Sequence, residues 1–147
     1  MSRDRNWSGF VARALAVLLA SPVTAGAADW ERVGTDADDN NYAVDTSRLV
    51  RDGSIVGASV RTEYAKPRPV EGVDAAVFVS LDRMLVDCSK ASFGIESRTF
   101  VLADGTEVPR GITPRAEIRF RTAAAGSMSE AIVRFVCKAA GVTRPKD

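Results

Sequence analysis

The chain has 147 residues, a formal net charge of +1, two cysteines and no histidine. The missing histidine excludes Ser-His-Asp and Cys-His catalysis, His-ligated zinc and the commonest general base. The near-neutral balance excludes a dedicated nucleic-acid binder, and the length fits one ordinary domain.

Arg3, Arg5 and Arg13 form a basic start, and Ala14–Ala20 is an apolar run too short to span roughly 30 Å of hydrocarbon as a helix. Pro22 and then Ala25-Gly26-Ala27 follow, which predicts a signal peptide over residues 1–27, cut before Ala28. Neither cysteine, Cys88 or Cys137, lies at that cut, so no lipoprotein anchor is expected there. The expected mature chain has 18 acidic and 17 basic side chains and no further long apolar run, hence no membrane span. Its charge is uneven: residues 28–87 hold twelve acidic and seven basic side chains, residues 88–147 six and ten. Two cysteines in an exported chain predict a Cys88–Cys137 disulfide.

Trp30 and Val33 are candidate core anchors at the start of the domain. In "TDADDNNYAVD", Asp36, Asp38 and Asn40 have the 1, 3, 5 spacing of a calcium loop. The sixth position is Asn41, not Gly, and the twelfth is Ser47, not Glu, so an acidic loop is the better reading. Tyr42–Val44 reads as a short strand running into an Asp45-Thr46-Ser47 turn. Asp52-Gly53 is a tight turn. Ser54–Tyr64 alternates as a half-buried antiparallel strand, with Val56, Ala58, Val60 and Tyr64 on one face.

Lys66-Pro67-Arg68-Pro69 is expected to be a loop. Ala75–Cys88 predicts a long central strand, with Val77, Val79, Leu81 and Leu85 on one face and Phe78, Met84 and Val86 on the other. Arg98–Leu102 and Thr106–Val108 flank the hairpin signal Asp104-Gly105. Pro109 and Pro114 mark a loop. Glu117–Arg121 is expected as a further strand, Ile118 and Phe120 pointing one way, Glu117, Arg119 and Arg121 the other. Ser127-Met128-Ser129-Glu130 has capping-box spacing. Met128, Ala131, Ile132, Phe135, Val136 and Ala139 then give about three turns of helix with one apolar face, stopping at Gly141. Residues 142–147 are expected to be a polar, disordered tail.

The sequence predicts no cofactor and no metal site. Arg119 and Arg121, with Arg110 and Arg115, are candidates for a cationic strip that docks an acidic partner; the plain alternative is an edge strand protected by its charges. Paired carboxylates keep a small hydrolase as a lesser alternative, but a catalytic acid needs a pocket that perturbs it.

In order and spacing these features resemble the surface-adhesin protein E-like family of Gram-negative envelope proteins. The resemblance rests on Trp30 and Val33, on "NYAVDTSRLVRDG" with Tyr42, Val44, Asp45, Ser47, Leu49, Arg51 and Gly53, on "VFVSLDRMLVDC" ending in Asp87 and Cys88, and on "GSMSEAIVRFVC" ending in Cys137. Phe120 stands where the pattern has Trp. It implies an α+β domain over residues 28–141: an antiparallel sheet of about five to six strands, a C-terminal helix packed on it, and one disulfide. It brings no catalytic residues. The expected protein is a periplasmic or extracellular, non-enzymatic envelope protein, adhesin-like towards host or envelope proteins. The alternative is a structural role as a homodimer paired through an edge strand.

Overall fold

The computed structural model describes residues 26–143. The reading of residues 1–27 as a signal peptide therefore lies, apart from Gly26 and Ala27, outside the described residues, as do 144–147 of the expected tail. Among the described residues, eight strands form one antiparallel sheet, and one α-helix covers part of one face.

The strands are β1 (Trp30–Thr35), β2 (Asn41–Asp45), β3 (Val50–Asp52), β4 (Ile55–Val70), β5 (Val73–Asp87), β6 (Ser92–Leu102), β7 (Glu107–Ile112) and β8 (Arg121–Thr122), followed by α1 (Met128–Ala139). The main path runs β1-β2-β4-β5-β6-β7, while β3 pairs with β4 and β8 with β6. Six strands thus make the sheet expected from sequence, and two short ones extend it.

Gly53, at φ +62°, makes the β3–β4 turn, where a left-handed backbone favours glycine. The expected Lys66–Pro69 loop is instead the far end of β4, with register shifts on either side of Arg68. Two prolines fit there because β2 pairs with β4 only at residues 60–63, so this stretch of β4 lies on an open edge where no N–H is needed. Pro109 likewise sits inside β7, an outer strand, opposite Thr99.

The alternation along β5 differs from the sequence reading only at the start, where a register shift between Val77 and Val79 breaks it, burying Val77 and leaving Phe78 exposed. From Val79 onward it follows that reading, with Ser80, Asp82, Met84 and Val86, and Cys88 just beyond the strand, on the helix side. Beside these lie Val56, Ala58 and Val60 of β4 and Phe93 and Ile95 of β6. Ile132, Val133 and Val136 of α1 pack onto this surface, with Val33, Tyr42 and Met128 at its margin. Each such aliphatic side chain, once buried, stabilises by roughly 1.5–3 kcal/mol. Trp30 is half-buried outside this core, in a depression of the opposite face with Arg32, Ala43 and Arg61.

Both ends of α1 are capped. Ser127 accepts from the Glu130 N–H at 3.2 Å, and Glu130 Oε2 accepts from the Gly126 N–H at 2.8 Å, one residue before the position a capping box uses. At the other end Gly141 turns left-handed at φ +66°; its N–H donates to Lys138 O at 3.1 Å and that of Val142 to Cys137 O at 2.8 Å, a Schellman stop. Val142, first residue of the expected tail, packs against the core. Cys88 and Cys137 are disulfide-bonded, with Cα atoms 5.7 Å apart, and so tie α1 to the end of β5.

The bridge closes a loop 49 residues apart in sequence, for which chain entropy gives about 4 kcal/mol of stabilisation. The Cys88→Ala/Cys137→Ala variant should lose up to that amount in urea unfolding. The unreduced native protein should weigh about 2 Da less than its reduced form; a variant as stable as the native protein would show that the staple adds nothing.

Candidate functional site

Two buried aspartates fix the ends of the sheet by the same device. Asp45 is 1% exposed, and its Oδ1 accepts from the N–H of Asp29 (3.1 Å), the N–H of Ser47 (3.1 Å) and the hydroxyl of Ser47 (2.6 Å). Asp87 is 7% exposed, and its Oδ1 accepts from the N–H of Ser89 (3.0 Å), the hydroxyl of Ser89 (2.6 Å) and the hydroxyl of Ser54 (3.3 Å). Both are Asp-x-Ser turns in which the carboxylate accepts from the N–H and the hydroxyl of the serine two residues on. Burial pushes both carboxyls up, but the hydrogen bonds, led by the Ser47 and Ser89 hydroxyls, win and hold them below the ordinary value of 3.8.

Asp36, the first residue of the calcium-like spacing, spends its carboxylate on its own loop. Oδ1 accepts from the N–H groups of Asp38 and Asn40, each at 3.0 Å; Oδ2 accepts from the Asn40 amide at 3.0 Å and the Tyr42 hydroxyl at 2.8 Å. These bonds, the Asn40 side chain's above all, hold Asp36 at about 2. Burial, then the bond to Asp36, pushes the Tyr42 phenol up. Asn40 accepts in turn from the Ala65 N–H at 3.1 Å, fastening the β1–β2 loop to the far end of β4.

The four arginines of the expected cationic strip are not gathered into one strip. Residues 115–117 form a 3₁₀ turn, residues 118–120 are irregular, and only Arg121-Thr122 is strand, so the predicted strand over 117–121 and its simple alternation are corrected. The cause is Gly94: a Cβ there would lie 2.3 Å from Ile118 Cγ2 and 3.1 Å from Arg119 O, so the missing side chain admits the segment against β6. Ile118 tucks in at 9% exposure while Phe120, which the alternation put on the same face, stays 41% exposed. Arg115 pairs with Asp52 at 3.1 Å, and the Arg110 guanidinium lies against Gly72. Arg119 and Arg121 do border one shallow hollow, with Phe120 and Ile118.

Arg121 also belongs to a second hollow that sequence reasoning missed. It opens on the helix-side face where α1 begins, has a volume of about 270 Å³, and draws its lining from β2, β4, β5, β6, β8 and α1. Its floor is polar: Thr62, Ser80 and Asp82 are buried there. Asp82 accepts from Arg98 Nε and Nη2, both at 2.6 Å, in a bidentate pair. The Tyr64 hydroxyl lies 3.3 Å from that of Ser80. Three arginines stand over aromatic rings: Arg68 over Tyr64 at 4.7 Å, Arg121 over Phe93 at 4.7 Å and Arg98 over Phe100 at 5.9 Å. Ser80 and Asp82, polar at inward positions of an otherwise apolar strand, are the one signal that could have revealed this hollow.

The model of the surface-adhesin protein E family matches residues 30–138, and the chain belongs to that family. No curated protein matches it significantly.

Because Asp36, Asp45 and Asp87 bind protons less readily folded than unfolded, their stabilisation is whole above about pH 4 and is lost as pH falls through their folded values. Urea midpoints should hold from pH 7 to 5 and drop steeply between pH 4 and 2. Asp45→Ala and Asp87→Ala should each cost about 1–3 kcal/mol at pH 7 and flatten that acid drop. An unchanged drop in both variants would assign it to other groups.

Proposed function

We propose that this member of the surface-adhesin protein E family is an exported, non-enzymatic protein that binds extracellular protein partners, in the manner of an adhesin, from the periplasm or the outer surface of the envelope. The observation that carries the reading is the state of its buried and half-buried carboxylates. Asp36, Asp45, Asp82 and Asp87 are all engaged by hydrogen bonds, and the shifted ones move down, away from the range a general acid requires. The described arginines, by contrast, are exposed or half-exposed, suited to recognition.

A second reading, a homodimer through an edge strand, is favoured by Ile112, 80% exposed on the outer strand β7. Pro109 in the same strand removes a donor and blunts that edge.

The mature domain should capture matrix proteins from host extract in a salt-sensitive way, and Arg119→Glu/Arg121→Glu should weaken capture at least tenfold. No capture at low salt would count against the adhesin reading. Light scattering decides the second reading: a monomer at high micromolar concentration sinks it.

A further inference from the structure

We propose that the hollow beside the start of α1 is a recognition site for acidic side chains, presented by an extended acidic–apolar segment of a protein partner. The inference rests on the reading of the chain as a protein-binding molecule and gives that reading a site.

Charge comes first. Arg68, Arg98 and Arg121 border the hollow against one carboxylate, Asp82. Asp82 occupies the Arg98 fork, so the excess cation belongs to Arg68 and Arg121. Arg68 has a single weak contact of that sign, with Asp38 at 3.8 Å, and that carboxylate is itself 80% exposed. An exposed pair of this kind contributes little and yields readily to a better acceptor.

Preorganisation comes second. Arg68 and Arg121 lie over Tyr64 and Phe93, which hold the planar guanidinium groups in place, the Arg68 edge held only by its long contact with Asp38. Less side-chain freedom is then lost on binding. The bidentate Arg98–Asp82 pair shows within the same hollow the geometry that an incoming carboxylate would adopt.

Shape comes third. A volume of about 270 Å³ suits one or two side chains rather than a folded surface. Between the cations the lining is mainly polar, with a smaller apolar part from half-buried Ile95 and the edges of the buried Val60, Met84 and Ile132. A carboxylate on an aliphatic stem, next to a leucine-like neighbour, matches both parts. A densely sulfated sugar, with no apolar component, leaves the smaller part unmet.

The probe is a capped octapeptide of alternating Leu and Glu, titrated into the 15N-labelled mature domain. The amides of Thr62, Ser80 and Arg121 should shift. Arg68→Ala/Arg121→Ala should weaken binding at least tenfold, whereas Lys90→Ala/Lys138→Ala, which removes as much charge elsewhere, should change it less than twofold. Asp82→Asn frees the Arg98 fork and should tighten binding at least threefold if the variant keeps the native amide spectrum. Equal weakening by both double variants would reduce the effect to net charge and overturn the proposal. Free glutarate binding as tightly as the peptide would assign the hollow to small acids, and a heparin hexasaccharide binding there more tightly than the peptide would assign it to a glycan; either overturns the partner named. Peptide binding without capture of matrix proteins breaks only the adhesin reading. Capture without peptide binding breaks only this inference.

Discussion

A short helix stapled to one end of a long strand governs the rest of this structure. Twelve residues of α1 span roughly 18 Å, while the fifteen of β5 span roughly 50 Å. The Cys88–Cys137 bridge anchors α1 at one end of β5, so the helix cannot cover the other. The sheet answers this in its side chains. Beneath α1 the inward positions are Val56, Ala58 and Val60 on β4, Met84 and Val86 on β5 with Cys88 just past its end, and Phe93 and Ile95 on β6. Beyond it they become Thr62 and Tyr64, Ser80 and Asp82, and Arg98. β4 and β5 change from apolar to polar at one level, and β6 gives Arg98 there before the buried Phe100 opposite Ser80, because exposing aliphatic surface would be costly and would invite association. The hollow is the consequence.

Much of this was legible along the chain. The alternation over residues 54–64, the apolar stripe of the helix and its Gly141 stop are local signals, and the structure keeps them. The disulfide followed from compartment and count. Asp45 was visible as a turn residue and Asp87 only as the end of a long strand; that both use the same Asp-x-Ser geometry to satisfy a buried carboxylate was not visible.

What the sequence hid depends on register. The phase of β5 flips at Val77/Val79, and β6 shifts opposite Arg83/Met84; neither shift has a Gly or Pro to announce it. The Pro67 and Pro69 stretch is strand only because β2 stops short of it, a fact about a neighbour rather than about the stretch. Arg119 and Arg121 looked like one outward row. Gly94, in a segment not read as strand, draws Ile118 onto β6 and breaks the row, so Arg121 swings to Phe93 and joins Arg98, distant in sequence. A site assembled from six elements has no spacing of its own.

The polar floor also bears on why such a hollow persists in a small domain. Ion pairs taken out of water gain little stability over well-packed apolar residues of similar volume. Asp82 and Arg98 are therefore a poor choice if stability alone is at stake. The fold also has cheaper ways to discourage edge pairing: the register shift between Arg32 and Gly34 roughens the edge of β1, and Pro109 blunts that of β7. Extra charge on the sheet face is not needed for that purpose. Both sheet edges being guarded by other means, the arginines over Tyr64 and Phe93 are left with recognition as the role that their geometry suits.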